Sequence, residues 1–172
     1  MKENIVEKQT FTYPLLFRFI FRYMNFLVTI LLLLYTIPLV VFLSEKIVLA
    51  FPLIVNLLII FFLNRHYFHL YKILPYQIEA DDEKIICSKF YLSKKEIVIY
   101  YSDITLLSGG IFENKISGLM NVFDGKNDVH IGFYRKLNNS GKFATIILSK
   151  VNRELYDVVL EKIMSGKQKV KK

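Results

Sequence analysis

The sequence predicts a membrane α-helical hairpin followed by a small, mainly-β domain. Three observations predict this fold class: two long runs without charge precede residue 73, short β-type runs alternate with turns in residues 76–148, and one amphipathic helical pattern follows. The chain is 53% hydrophobic with a mean hydropathy of +0.36, and its longest apolar runs lie in the first part. We therefore divide it into a membrane module (1–72), a cytoplasmic domain (73–166) and a basic tail (167–172).

The two charge-free runs, residues 24–43 and 47–63, are the predicted membrane spans. At 1.5 Å per residue, about 20 helical residues cross the roughly 30 Å hydrocarbon core of a bilayer. Ser44-Glu45-Lys46 separates the runs, so the two helices are expected to be antiparallel neighbours. A buried hairpin of a soluble fold is the alternative, but neither run carries the polar stripe that such a helix shows.

Polar and kinking residues inside the spans are few. Pro38 and Pro52 would each cost about 3 kcal/mol inside a soluble helix, whereas membrane helices tolerate such kinks. Asn56 is the one strongly polar side chain at mid-depth. We expect it to hydrogen-bond to the other helix or to another subunit, rather than to form a transport site, because no charged residue accompanies it.

Basic residues predict the orientation, since Lys and Arg concentrate on the cytoplasmic side of membrane spans. The connecting loop has only Lys46, whereas the outer flanks carry Lys2, Lys8, Arg18, Arg22, Arg65 and Lys72. Both termini are thus expected in the cytoplasm, for a multi-pass protein of the cell inner membrane. The rings expected in the headgroup zone are those of Tyr23, Tyr67 and Tyr71.

The segment before the first span is expected to be an interfacial lead-in that runs from Phe11 to Tyr23. Arg18 and Arg22 lie four residues apart in it and can reach lipid phosphates. His66 and His69 share one side of a helix, as two metal ligands would. No carboxylate or cysteine lies near them in the sequence, so interfacial residues are the better interpretation.

The domain after residue 73 shows short β-type runs with turn residues between them. About seven antiparallel strands, in a barrel or a sandwich, are expected from the runs 76–80, 84–89, 96–101, 104–107, 119–123, 129–134 and 143–148, with 111–115 as a weaker candidate. A helix capped by Ser149 or Asn152 and stopped by Gly166 follows. Its apolar stripe is expected to close the open end of a bent sheet.

This order of elements resembles the bacterial membrane-anchored PH-like proteins of the bPH2 type. The residues that carry the resemblance are 76–80, the strand 97–101 with Ser102-Asp103-Ile104, and the helix 155–163. The resemblance implies a PH-like split barrel capped by a C-terminal helix, used as an interaction module without catalytic activity. PH domains that bind phosphoinositides place basic residues at the first hairpin loop. Here that loop is expected to be Asp81-Asp82-Glu83, so such a pocket is not expected.

The net charge of +8 comes from the two ends of the chain. Residues 73–166 carry twelve basic and twelve acidic side chains, whereas residues 1–72 and the tail each contribute +4. Nucleic-acid binding, which needs a concentrated basic footprint, is therefore not expected. The tail either contacts anionic lipid, at about 1 kcal/mol per lysine, or stays solvated; its lysines are Lys167, Lys169, Lys171 and Lys172.

No catalytic constellation emerges from the sequence. The single cysteine, Cys87, is expected to be a buried inert thiol, and His130 to be exposed on a strand. Asp81, Asp82 and Glu83 are expected in a solvated turn, and Ser140-Gly141-Lys142 lacks the other residues of a phosphate-binding loop. We expect no enzyme, cofactor or metal. The expected function is scaffolding of a protein partner or homo-oligomer, and the alternative is a lipid-binding or transport accessory.

Overall fold

A computed structural model describes residues 8–91, 93–115 and 117–169, with the side chains of 166–169 left out of the description. The described chain divides into two compact units, one formed by residues 15–72 and the other by residues 8–14 together with 73–169. The elements in chain order are β1 (Gln9–Thr12), α1 (Leu15–Val41), α2 (Ala50–Ile73), β2 (Pro75–Ala80), β3 (Lys84–Phe90), β4 (Ile97–Tyr100), β5 (Ile104–Ser108), β6 (Leu119–Asp124), β7 (Val129–Tyr134), α3 (Ser140–Lys150) and α4 (Arg153–Lys169).

The helices α1 and α2 form the first unit, and both are long and apolar enough to cross a membrane. α1 begins at Leu15, well before the predicted start at residue 24, and a short 3-10 turn at Ile47–Leu49 leads into α2. Most of their apolar side chains face outward; Leu15 is 80% exposed and Phe51 is 75% exposed. The predicted pair of long apolar helices is therefore present.

The two prolines have different positions in these helices. Pro38 lies inside α1, as expected. Pro52 is the third residue of α2, in the first helical turn, where a missing backbone N–H interrupts no intrahelical hydrogen bond. The expectation that Pro52 kinks a helix interior is wrong for this reason.

Strands β1 to β4 form an antiparallel sheet in the order β1-β2-β3-β4. Phe11 lies opposite Ile78, Ile78 opposite Cys87, and Cys87 opposite Ile97. β1 precedes the helical hairpin in the chain, yet it pairs with β2, which follows the hairpin. The expected interfacial lead-in is thus wrong for Phe11 to Tyr13, because Phe11 and Tyr13 are buried in the β domain.

Strands β5, β6 and β7 form a second antiparallel sheet in that order. A 3-10 turn at Tyr101–Asp103 connects β4 of the first sheet to β5 of the second. Across the described residues the strands form two open sheets of four and three strands, rather than a closed barrel. Six of the predicted strand runs are present.

Two predicted strands are wrong. The weaker candidate at residues 111–115 lies largely in a 3-10 turn, Gly110–Glu113. The run at 143–148 lies in the helix α3, whose buried residues Phe143, Ala144 and Ile147 recur at helical spacing. A short apolar run such as Ile146-Ile147-Leu148 fits a strand as well as a helix, so periodicity alone did not distinguish them.

The predicted C-terminal helix is present as α4, which continues past Gly166 to Lys169. Asn152 is its cap, since the Leu155 N–H donates to Asn152 Oδ1 at 2.8 Å. Ser149 instead donates to the Ile146 carbonyl. Leu155 and Val159 are buried, and the helix packs against β5 and the Gly110–Glu113 turn.

Candidate functional site

A seam of polar side chains joins α1 to α2 in the hairpin. Asn25 Nδ2 donates to Asn64 Oδ1 at 3.1 Å, and Asn64 Nδ2 donates to Thr29 Oγ1 at 3.1 Å. Asn56 Nδ2 donates to Thr36 Oγ1 at 2.7 Å and to the Leu32 carbonyl oxygen at 3.1 Å. The predicted helix–helix contact of Asn56 therefore forms within the hairpin, where this side chain is buried.

The other members of this seam were not predicted. Positions 25, 29, 32 and 36 follow the alternating spacing of four and three that places residues on one helical seam. Asn25 and Asn64 lie at the ends of the predicted spans, where polar residues are ordinary, so only the spacing marks them. Each such hydrogen bond between membrane helices contributes about 0.6–2 kcal/mol.

The residues predicted for the membrane interface lie in the first turns of α1 and the last turns of α2. The exposed members of this group are Arg22, Tyr23, Arg65 and Lys72, whereas Arg18 and Tyr67 are partly covered. Tyr71 differs, because it is buried and its ring centroid lies 6.0 Å from that of Phe21. Tyr71 is thus a packing residue of the hairpin.

His66 and His69 are exposed on α2. Among the described residues no group of three or more His, Cys, Asp or Glu is placed to hold a metal ion. Of the predicted lipid-contacting lysines, Lys167 and Lys169 belong to α4 without described side chains, and Lys171 and Lys172 lie outside the described residues.

One end of the β domain, which we call the attachment end, is where the chain enters and leaves the helical hairpin. β1 ends there at Thr12, with two residues between it and the start of α1, and β2 begins there at Pro75, with one residue between it and the end of α2. Neighbouring strands are antiparallel, and Phe90 lies opposite Pro75. The loop that joins β3 to β4 therefore lies at the attachment end.

The loop between β7 and α3 lies at the same end. The Tyr134 N–H donates to Tyr13 Oη at 2.8 Å, and the Asn138 N–H donates to the Thr12 carbonyl at 3.0 Å. Ser140 Oγ donates to the Arg135 carbonyl at 2.9 Å. These bonds hold residues 135–139 beside the end of β1.

Exposed cations concentrate in these two loops. Lys89, Lys94 and Lys95 lie at or next to the β3–β4 loop, which has one acid, Glu96. The Lys95 ammonium lies 4.7 Å from the centre of the Phe90 ring, a cation–π contact that helps to order the loop. The β7–α3 loop adds two exposed cations and no acid; they are Arg135 and Lys136.

The third connection at the attachment end, between β5 and β6, is balanced in charge. Lys115 Nζ lies 2.6 Å from Glu113 Oε2. This ion pair, together with its backbone contacts, lowers the pKa of the Glu113 carboxyl. We name the five exposed cations of the other two loops the basic cluster: Lys89, Lys94, Lys95, Arg135 and Lys136.

The opposite end of the domain is acidic. It contains the β2–β3 turn at Asp81 to Glu83, the Tyr101–Asp103 turn, and the β6–β7 turn that begins at Asp124. Its ion pairs include Lys150 with Asp82, at 2.6 Å, Lys126 with Asp103, at 3.7 Å, and Lys8 with Glu79. Burial alone would raise the pKa of Asp81, but the N–H groups of Glu83 and Lys84 donate to this carboxylate and lower its pKa.

The equal numbers of acids and bases in residues 73–166 thus conceal a separation of charge. Antiparallel pairing carries basic loops to one end of the domain and acidic turns to the other, so a net charge of zero along the sequence does not exclude a basic end. The β2–β3 turn is also not the first connection in the sheet, since the helical hairpin joins β1 to β2.

A row of three side chains, of which the central Phe123 is only partly exposed, crosses one face of the three-stranded sheet. Leu106 lies opposite Phe123, and Phe123 lies opposite His130. The rings of Phe123 and His130 stack with centroids 4.2 Å apart. Leu106 is 43% exposed, and His130 is exposed, as its strand position predicted.

Two of the remaining candidates for chemistry, Cys87 and Ser140, are buried. Cys87 is buried in the four-stranded sheet, and burial raises the pKa of its thiol. Ser140 is buried and bonded to the Arg135 carbonyl, while Ser140 and Lys142 lie in the first turn of α3.

Comparison of this chain with protein-family models, with curated proteins and with solved structures returned no match.

Proposed function

We propose that this protein is a membrane-anchored, non-catalytic interaction module in which a PH-like domain binds a protein partner at the cytoplasmic face of a bacterial inner membrane. Membrane insertion is supported by the outward-facing apolar side chains of α1 and α2, which would otherwise expose a large hydrophobic surface to water. The polar seam supports it as well, because its side chains bond within the hairpin and away from lipid.

The observation that carries the proposal is the insertion of the hairpin between two paired strands. α1 follows β1 after two residues, and β2 follows α2 after one. A domain joined to a membrane hairpin through two adjacent strands stays close to the bilayer, whereas a domain on one flexible linker samples a wide range of distances from it. The four-plus-three arrangement of strands and the C-terminal helix support the PH-like assignment.

The row of Leu106, Phe123 and His130, whose two outer members are exposed and whose central Phe123 is partly exposed, is the surface that we propose for the protein partner. Interfaces are enriched in aromatic side chains at their centre and have polar rims. Here a Phe and a Leu lie beside the exposed, more polar His130.

Site-specific photocrosslinking in native membranes tests this function. A photoreactive phenylalanine analogue at position 106 or 123 is expected to give one adduct of the same mass. The matched control position is Thr10, which is exposed on β1. Absence of an adduct from positions 106 and 123, or the same adducts from all three positions, would contradict the proposed partner surface.

Labelling of introduced cysteines tests the orientation in the same cells. A membrane-impermeant maleimide is expected to label Ser44→Cys in the connecting loop from outside, and Ser93→Cys only after permeabilisation. Both positions are exposed, and the native Cys87 is buried. The reverse pattern would show that the domain lies outside.

A lipid-binding or transport accessory is the second candidate, and the basic cluster favours it. That function predicts that anionic phospholipid copurifies with the protein and is displaced when Arg18 and Arg22 are replaced by Ala. Lipid content that is unchanged in mass spectrometry of these variants would remove the support for this candidate.

A further inference from the structure

We propose that the basic cluster docks the β domain onto anionic phospholipid headgroups and so fixes the orientation of the domain at the bilayer. The inference rests on the proposed insertion of the hairpin and goes beyond it. A hairpin alone anchors the domain, whereas the basic cluster decides which of its surfaces faces the lipid and which faces a partner.

The basic cluster lies at one end of the β domain. Its two loops lie at the attachment end because β3 pairs with β2, and because Asn138 and Tyr134 bond to Thr12 and Tyr13. Chain connectivity ties this same end to α1 and α2 through only two residues and one residue. Each connecting residue spans at most about 3.5 Å.

The electrostatic attraction between lysines and anionic lipid has a short range. The helical residues between the charge-free runs and the strands, 15–23 and 64–73, are each about 14 Å long at 1.5 Å per residue. The headgroup layer occupies about 6 Å on each side of the hydrocarbon core, which leaves about 8 Å. This remainder is comparable to the Debye length of about 8 Å at physiological ionic strength, so chain connectivity alone keeps the ends of β1 and β2 within range of the surface potential.

The two ends of the β domain differ in charge. The attachment end carries the basic cluster and the Lys115–Glu113 pair, against one further acid, Glu96. At the opposite end the acids of the three turns, Asp81 to Glu83, Asp103, Asp124 and Asp128, outnumber the cations Lys84, Lys126 and Lys150. An anionic surface attracts the first end and repels the second. The separated charges therefore favour one orientation of the domain, even though residues 73–166 have no net charge.

The chemistry of the partner follows from the form of the basic cluster. Its side chains are exposed on two loops, mostly as lysines, which act as point charges. Such a surface fits a layer of anionic headgroups, for example phosphatidylglycerol, without selecting one headgroup. Acidic proteins and nucleic acids are weaker candidates, because the chain itself joins this end of the domain to the membrane hairpin.

The test uses the full chain in lipid nanodiscs with a fluorophore on one introduced cysteine. Ser93→Cys places an environment-sensitive probe in the β3–β4 loop, and Ser102→Cys is the matched control at the opposite end, since both serines are exposed. Cys87 is buried and can remain in place. The discs contain phosphatidylcholine alone or with abundant phosphatidylglycerol.

With phosphatidylglycerol, we expect the probe at position 93 to shift to the blue and to lose accessibility to an aqueous quencher several-fold. High salt reverses both effects, and the probe at position 102 responds to neither change. Lys94→Glu combined with Lys136→Glu is expected to abolish the response, whereas Lys126→Glu, a substitution of an exposed lysine at the acidic end, leaves it intact.

Equal emission from position 93 in both kinds of disc would overturn the inference, and so would a loss of response in Lys126→Glu as large as in the double variant. Continued protection of Cys87 from maleimide shows that a variant is folded. A chain that stays in the discs without a lipid-dependent shift contradicts docking but not anchoring. A chain that does not enter the discs contradicts both.

Discussion

Gly109 and Gly110 occupy backbone conformations that side-chain-bearing residues rarely adopt, with φ of +74° and +46°. They form the turn between β5 and the Gly110–Glu113 segment, against which α4 packs. A Cβ at Gly109 would lie 2.1 Å from the Leu119 carbonyl oxygen, which is backbone and cannot rotate away. Glycine is therefore required here both by conformation and by space.

Gly109→Ala is expected to lower the free energy of unfolding of the β domain by about 1–3 kcal/mol, because it combines a strained φ with a backbone clash. The rate at which maleimide modifies the buried Cys87 measures this unfolding. Gly141→Ala is the control, since a Cβ there meets nothing within 4 Å and Ala is favoured in a helix. Equal stability of the two variants would contradict the prediction.

Single residues also show which predictions local sequence supports. Cys87 is buried and His130 is exposed, as alternation along a strand predicts. Tyr71 was expected among headgroups, which stays a prediction; its burial against Phe21 was not predicted, because the headgroup preference of tyrosine does not specify which way a helical face turns. The side that a helix buries depends on the partner helix against which it packs.

Polar contacts join the two helices of the hairpin. Asn56 bonds to both Thr36 and the Leu32 carbonyl across the interface. Asn56→Leu removes both bonds and, at about 0.6–2 kcal/mol for each bond, is expected to weaken association of the helices by about 1–4 kcal/mol. Reversible denaturation of the detergent-solubilised protein in rising SDS measures the change.

The matched control for Asn56→Leu is Leu58→Ile, because Leu58 is on the exposed side of the same helix. This control is expected to behave as the unmodified protein does. If it destabilises the hairpin as much as Asn56→Leu does, the seam has no special role.

The helix α3 is an element whose type its own residues do not determine. Its residues 143–148 are apolar and rich in Ile, and they fit a strand until the surrounding structure is known. In the fold, Phe143 packs against Phe11 and Phe133, with ring centroids 5.0 Å and 4.8 Å away. Contacts from two different sheets select the helical form over the strand.

At the scale of the whole molecule, the β domain is assembled from both sides of the hairpin. Phe11 lies on β1, is buried, and faces Ile78 on β2. Phe11→Ala is therefore expected to destabilise the β domain by about 3–5 kcal/mol through the cavity that it leaves. Protection of Cys87 from maleimide in increasing urea measures this loss.

Phe19→Ala provides the comparison, because Phe19 is also near the N-terminus but is 63% exposed on α1. It is expected to leave Cys87 protected as in the unmodified protein. Were Phe11→Ala equally harmless, residues 9–12 would not be part of the β domain.

Composition and local pattern determined much of this protein by themselves. Charge-free runs of sufficient length predict apolar helices, and a three-residue polar break predicts a hairpin. Turn residues between alternating runs predicted six of the seven strands, and Asn152 marked the start of α4. These features depend on neighbours in sequence, so the sequence displays them directly.

Only the tertiary structure decided the pairing of β1 with β2, the helical form of α3 and the position of the basic cluster. Phe11 and Ile78 are brought together across the whole hairpin, and no local periodicity reports a contact at that separation. The basic cluster likewise combines loops that lie about forty residues apart in the chain, and a count of charges along the sequence gives zero for the domain. Antiparallel pairing places these loops at one end, because it alternates the direction of successive strands.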